Sequence, residues 1–179
     1  MIRFFAAMVV GMFAMPASAA LRTGADAPLF TTQAALAGKE FTYALAEELK
    51  NGPVVIFFYP KAFTRGCTIE AQNFAEKSEE FKALGATVIG ISNDSMAVLS
   101  KFSTSACQSK FPVASDEGGK IIKAYESALL FSFANRTSFV IAPDGKVVFT
   151  YTSLSPDGHV PNTLDAVKKW RAASTPLKD

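Results

Sequence analysis

The sequence is short of the residue types from which many binding and catalytic sites are made. Among 179 residues there are two cysteines, Cys67 and Cys107, and one histidine, His159. Two cysteines cannot staple a multi-disulfide scaffold, and a lone histidine cannot complete the usual zinc or haem ligand sets. Charge is scarce as well: 18 Lys plus Arg stand against 16 Asp plus Glu, charged residues make up 19% of the chain, and no Lys/Arg block occurs. A net charge of +2 spread in this way leaves no electrostatic footprint for nucleic acid or for a polybasic membrane contact. If the protein is an enzyme, cysteine is the first candidate. What the chain has in quantity is apolar residues, 49% of the total with 16 phenylalanines, enough for one globular domain with a full core.

No apolar run reaches membrane-spanning length. Phe4 to Met15 spans twelve positions, with Arg3 the only charge before Arg22. That is the length of a signal-peptide apolar region and too short for a bilayer. Pro16 breaks the run, and Ala17-Ser18-Ala19 or Ser18-Ala19-Ala20 supplies the small residues of a cleavage site. Residues 1–20 are therefore expected to be a signal peptide and 21–179 the working domain, with the mature N-terminus at Ala20 or Leu21 and no stable membrane association afterwards. Outside a reducing cytosol a disulfide persists.

Residues 21–52 form a lead-in of weak strands with one helical-looking run, Tyr43 to Lys50. Pro53 to Tyr59 is a continuous β-branched and aromatic run, the pattern of a strand buried on both faces, and Pro60 ends it. From Thr64 the period turns helical through Ile69, Phe74, Phe81 and Leu84, with Gly85 placed as a C-terminal glycine. A strand follows at Thr87 to Ile91, then a helix capped by Asp94 or Ser95 that runs to about Ser105. Phe111 to Ala114 is extended and Gly119 to Tyr125 a short helix. Thr137 to Ile141 and Val147 to Tyr151 flank Pro143-Asp144-Gly145 as a hairpin, and Asn162 to Arg171 is a closing helix with Leu164, Val167 and Trp170 on one face. The β-α-β-α order predicts parallel pairing in an α/β domain.

Cys67 lies between the end of the Pro53–Tyr59 strand and a helix, where open α/β sheets place their ligand sites. It falls three residues after the expected N-cap Thr64, beside unpaired N–H groups at the positive end of the helix dipole, a setting that favours thiolate. A thiolate there could attack peroxide oxygen, disulfide sulfur or carbonyl carbon. The same position also suits an inert buried cysteine acting as a small hydrophobe, and position does not separate the two.

Spacing excludes the dithiol sites. Glu70 stands where a thioredoxin-like motif needs its second cysteine, and Ala71 where a copper-carrying relative needs one. What remains is Pro-x-x-x-Thr-x-x-Cys over Pro60, Thr64 and Cys67, flanked by Val55-Ile56-Phe57-Phe58-Tyr59 and by Gly66-Cys67-Thr68-Ile69-Glu70-Ala71. With Gly90-Ile91-Ser92, Phe111-Pro112 and the block from Arg136 to Lys146 following in order, the chain resembles the Q-type peroxiredoxins, also called bacterioferritin comigratory proteins, from about residue 22 to 171.

The resemblance implies a thioredoxin-like α/β fold, a central mixed sheet flanked by helices with a peroxiredoxin-type extension at the N-terminus. It implies reduction of hydrogen peroxide and organic hydroperoxides without metal, haem or flavin, with electrons from a thioredoxin-like protein or a small thiol, in a monomer or weak dimer. Together with the leader it favours the periplasm, with secretion as the alternative. Cys67 becomes the peroxidatic cysteine, Thr64 a hydroxyl that bonds the peroxide, Pro60 a wall against water and Arg136 the cationic partner. The roles make physical sense, because a cation beside sulfur favours thiolate and donors aimed at the O–O bond stabilise charge on the departing oxygen. Glu70 is expected to face the basic side of the site or to cap the helix, and Lys61 and Arg65 to be ordinary loop charges.

The sequence also departs from the family. Many Q-type members carry a resolving cysteine five positions after the peroxidatic one, where this chain has Gln72, so Cys107, 40 positions downstream, is the internal alternative. From a helix start at Ser95 it lies about 18 Å along the axis, whereas a disulfide tolerates about 7 Å between Cα atoms. Resolution by Cys107 therefore requires local unfolding; the other course is a one-cysteine enzyme resolved by an external thiol. A rival from the same residues is an exported single-cysteine thiol-disulfide exchange protein, and a second is a non-enzymatic binding module of the fold.

Overall fold

The computed structural model describes residues 20–129 and 133–174; the leader expected over residues 1–20 lies outside them, Ala20 apart. Along the chain come β1 (Thr31–Leu36), β2 (Lys39–Ala44), α1 (Leu45–Glu48), β3 (Val54–Phe58), α2 (Arg65–Glu76), α3 (Ser78–Ala83), β4 (Thr87–Ser92), α4 (Met96–Thr104), β5 (Val113–Ser115), α5 (Lys120–Ala124), β6 (Thr137–Ile141), β7 (Val147–Thr152) and α6 (His159–Ser174). The strands form one mixed sheet in the order β2-β1-β5-β4-β3-β6-β7. β3, β4 and β5 are parallel, as the β-α-β-α order predicts, and the β1 and β6 neighbours run antiparallel to them.

β3 is the central strand because both of its faces are apolar. Every residue of its Val-Val-Ile-Phe-Phe run is buried, and the alternation of a strand divides them between two core layers. Val55, Phe57 and Tyr59 pack into the layer that holds Cys67, Phe74, Phe102, Val160 and Val167. Val54, Ile56 and Phe58 face the layer of Tyr43, Ile122, Tyr125 and Phe139. Gly90 of β4 lacks a side chain because a Cβ there would sit 2.6 Å from Phe57 Cζ and 3.0 Å from Tyr59 Cε1. The lead-in is a hairpin whose two turn residues, Ala37 and Gly38, both have positive φ, the requirement of a tight two-residue turn. It joins the sheet through β1 on β5.

Several boundaries differ from the sequence pattern. Tyr43 is in β2, not in a helix: it pairs with Thr32 and stacks on Phe30 at 6.0 Å, and this tertiary contact leaves α1 only four residues. The apolar run from Thr64 to Leu84 is two helices broken at Lys77, so Phe74 and Phe81 meet at 6.0 Å beneath the same sheet face. The closing helix starts at His159, ahead of Asn162, because Pro161 lies in its first turn, where a missing N–H costs nothing.

Candidate active site

One strand register and one loop bring the site together. β3 delivers the chain through the Tyr59–Thr64 loop to the start of α2, while β6 pairs antiparallel with β3 so that Thr137 stands opposite Phe58. Arg136, one residue before Thr137, is thereby set beside the carboxyl end of β3, where Cys67 emerges. The loop is held from the turn after β4: Asp94 Oδ2 accepts from the Ala62 N–H at 2.7 Å and from Ser92 Oγ at 2.8 Å. Phe63, at φ 64 and half exposed, lays its ring edge-on to Phe102 of α4 at 5.1 Å.

Cys67 is 1% exposed and Arg136 6%. Arg136 makes three contacts that fix its plane. Nε donates to the Leu154 carbonyl at 3.1 Å, Nη1 to Glu70 Oε2, and Nη2 to Cys67 Sγ at 3.4 Å. Gly66 makes room for this approach, since a Cβ at that position would lie 3.0 Å from Nη2. Burial works against the guanidinium charge, but Glu70 and Cys67 together outweigh it and raise the Arg136 pKa.

Glu70, fully buried, is part of the site and caps nothing. Its Oε1 lies 3.5 Å from Nδ1 of His159, also fully buried. His159 Nδ1 is 2.8 Å from Ser138 Oγ, Nε2 is 3.0 Å from the Ser153 carbonyl, and Tyr151 covers the ring edge-on at 4.9 Å. Burial, opposed by Arg136, pushes the Glu70 carboxyl up to about 8, and burial pushes His159 down to about 4.

Of the residues singled out from the sequence, the structure joins Cys67 and Arg136 directly. Thr64 is the N-cap of α2, but its hydroxyl donates to the Lys61 carbonyl at 2.9 Å and accepts nothing from the helix, so that among the described residues first-turn N–H groups stay open beside Cys67. Pro60 is half-buried at the loop's start, Lys61 is an exposed loop charge as expected, and Arg65 is exposed too but opens α2 and so is not in the loop. Cys107 shares the core layer of Cys67 but lies beyond the end of α4, fully buried, its thiol pKa pushed well up by desolvation. Gln108 and Ser109 after it have φ of 49 and 59, left-handed values at two successive non-glycine residues. The sequence marks His159 only as a lone histidine and Asp94 only as a possible helix cap; the cap is Ser95, and Asp94 holds the Ala62 N–H instead. Glu70 was accessible through its i,i+3 spacing from Cys67, which puts both on one helix face.

The model of the AhpC/TSA family matches residues 23–150. Peroxiredoxin Q of Sedum lineare is 34% identical over 151 residues, 83% of this chain and 78% of that protein. Peroxiredoxin Q of Oryza sativa subsp. japonica is also 34% identical, over 144 residues; 79% of this chain is aligned with 64% of the rice protein, so the match spans just under two thirds of that relative. Among solved structures, peroxidoxin BcpB of Mycobacterium tuberculosis superimposes with a TM-score of 0.75 at 32% identity, over 83% of this chain and 97% of its own. The mixed sheet with its flanking helices is thus the fold expected from the sequence.

Proposed function

This chain belongs to the AhpC/TSA family, on its Q-type peroxiredoxin branch, and from that premise we propose that it is a thiol-dependent peroxidase acting on hydrogen peroxide and organic hydroperoxides. One observation carries the proposal: the Arg136 guanidinium lies 3.4 Å from the Cys67 sulfur, at the start of a helix whose first-turn N–H groups are open. The cation balances a thiolate, and the donors meet the charge that moves onto oxygen. The sulfur attacks the terminal peroxide oxygen, the O–O bond breaks, and water or alcohol leaves with Cys67 as the sulfenic acid. A sulfur only 1% exposed is better suited to a small peroxide than to a disulfide on a folded protein, which favours peroxidase over thiol-disulfide exchange.

In the second step Cys107 condenses with the sulfenic acid, releasing water, and a thioredoxin-like protein or a small thiol reduces the disulfide. Cys107 is buried, so this step needs the turn after α4 to open, and left-handed backbone at Gln108 and Ser109 lowers the cost of opening it. The proposal includes export, with residues 1–20 as a leader and an oxidising envelope compartment as the site of action.

The test is stoichiometric peroxide consumption by the reduced protein and by Cys67→Ser, with products read by mass. Rapid consumption of one equivalent, lost in the variant, with a disulfide between Cys67 and Cys107 as product, is expected. Reactivity no greater than that of an ordinary free thiol overturns the peroxidase proposal; consumption with no such disulfide overturns only the role of Cys107.

A further inference from the structure

The Glu70–His159 contact poses a problem of one proton. Glu70 Oε2 accepts from Arg136, whereas Oε1 is buried with no hydrogen-bond partner among the described residues and faces His159 Nδ1 at 3.5 Å. The other contacts of the imidazole fix its hydrogen. Nε2 lies 3.0 Å from the Ser153 carbonyl, which can only accept, so Nε2 carries the hydrogen; Ser138 Oγ, 2.8 Å from Nδ1, can then donate to that nitrogen. A neutral ring arranged this way has its one Nδ1 lone pair engaged by Ser138 and no hydrogen to offer Oε1. An ionised Glu70 would leave a carboxylate oxygen without a donor in a space sealed from water, a cost that burial does not forgive. A single proton between the two residues removes the conflict. Burial disfavours charge on both, raising the carboxyl and lowering the imidazole, and so leaves the proton on Glu70.

The groups that face Glu70 are Arg136 ahead of β6, His159 of α6, and Cys67 one turn back on α2. Ser138 of β6 and Tyr151 of β7 surround the imidazole behind it. One guanidinium therefore stands between two groups able to carry negative charge, Sγ on Nη2 and the carboxylate on Nη1. Two buried anions beside one cation are costly, and one anion is matched.

We propose that Glu70, backed by His159, holds the proton that Cys67 gives up, so that Arg136 is matched by one negative charge throughout the reaction. Its bearing on turnover rests on the peroxidase proposal; the location of the proton in the reduced protein does not. Activation is an internal exchange: Cys67–SH plus Glu70–COO⁻ becomes Cys67–S⁻ plus Glu70–COOH, with no proton entering or leaving the protein. On reaction, sulfur bonds the terminal oxygen of ROOH, the O–O bond breaks with its electron pair on RO⁻, and Glu70 gives up the proton that RO⁻ takes. The products are Cys67–SOH, ROH and Glu70–COO⁻: sulfur is oxidised by two electrons, the peroxide is reduced by two, and the carboxylate replaces the vanished thiolate beside Arg136. Glu70 thus acts as a positioning and proton-holding residue, and His159 fixes where the proton sits.

The experiment uses the full-length reduced protein and two readouts. Infrared difference spectra with isotope-labelled glutamate, taken before and after one equivalent of hydrogen peroxide, should show a protonated glutamic carboxyl in the reduced state that disappears on oxidation. In weakly buffered solution near neutral pH, Glu70→Gln should take up one more proton from solvent per peroxide consumed than the wild type does. His159→Asn should shift the carboxyl band, because the group facing Oε1 has changed. Absence of a protonated glutamic band in the reduced wild type, or equal proton counts in wild type and Glu70→Gln while both consume peroxide, overturns the proposal. If Glu70→Gln does not fold, the wild-type spectrum alone decides. A protonated band in a reduced protein that fails to consume peroxide would instead overturn the peroxidase proposal and leave the proton where it is placed here.

Discussion

Arg136 Nη2 and Cys67 Sγ, 69 positions apart in the chain, lie 3.4 Å from each other because β6 pairs with β3 in a register that puts Thr137 opposite Phe58. The same guanidinium is held by the Leu154 carbonyl and by Glu70, so its orientation toward sulfur is over-determined. A lysine at this position would keep the charge but has no planar fork to serve three partners. Arg136→Lys should lower the second-order rate with hydrogen peroxide by about one to two orders of magnitude, the equivalent of the ~1.5–3 kcal/mol typical of one charged hydrogen bond. Single-turnover kinetics of the reduced variant check this, and a rate within twofold of wild type would show that charge alone suffices.

Gly66 offers a finer probe of that contact. It is helical with no positive φ, so alanine fits its backbone and should strengthen α2 by up to about 1 kcal/mol. The added Cβ would nonetheless lie 3.0 Å from Arg136 Nη2, and the guanidinium must shift by a few tenths of an ångström. Gly66→Ala is expected to keep or raise the melting temperature while slowing peroxide reduction several-fold. Unchanged kinetics in a well-folded variant would mean that Arg136 tolerates displacement.

These two variants also mark what the sequence made legible. The central strand and the Pro60–Thr64–Cys67 spacing are local patterns, read directly from β-branched density and from residue order. Arg136 was reached only through family likeness, since nothing local marks a residue before a strand as a partner for a distant thiol. His159 had no signal at all: its place depends on α6 starting before Pro161 and on a carbonyl, Ser153 O, contributed by a loop. Glu70 had the right spacing, but its full burial, which changes its chemistry from a surface charge to a proton holder, is a property of the assembled layers. Thr64 shows the converse, a good N-cap residue by type whose side chain bonds its own loop instead of the helix.

The opposed environments of Glu70 and His159 predict a pH dependence of stability. Glu70 titrates near 4.5 when unfolded and about 8 when folded, so the folded form holds the extra proton and stability falls as pH rises through that interval. His159 goes the other way: its ordinary value of 6.5 drops to about 4, and stability rises with pH between them. The two slopes oppose each other up to about pH 6.5, and above it only the Glu70 slope remains, on the order of 2 kcal/mol by about pH 8 at ~1.36 kcal/mol per unit. Urea unfolding of the reduced wild type should show that fall, and Glu70→Gln should remove most of it. Parallel curves for the two proteins would contradict the raised carboxyl.

The turn after α4 predicts the speed of the second chemical step. Gln108 and Ser109 hold φ of 49 and 59, where a side chain costs roughly 1 kcal/mol that glycine does not pay. The turn is nevertheless held by main-chain bonds that include Cys107 N–H to Phe102 O at 3.2 Å, Ser109 N–H to Ser103 O at 2.8 Å and Lys110 N–H to Cys107 O at 2.9 Å, which must break to free the thiol. Ser109→Gly relieves the strain in the closed turn and keeps those bonds, so it should favour the closed form by about 1 kcal/mol, offset in part by the added freedom of the open chain. Consumption of the first peroxide equivalent should be unchanged, because Cys67 and Arg136 are untouched. Disulfide formation, followed by quenching and mass, should slow about two- to fivefold, and the sulfenic acid should become correspondingly more prone to further oxidation by excess peroxide. A variant that forms the disulfide at the wild-type rate would show that opening of this turn does not limit resolution.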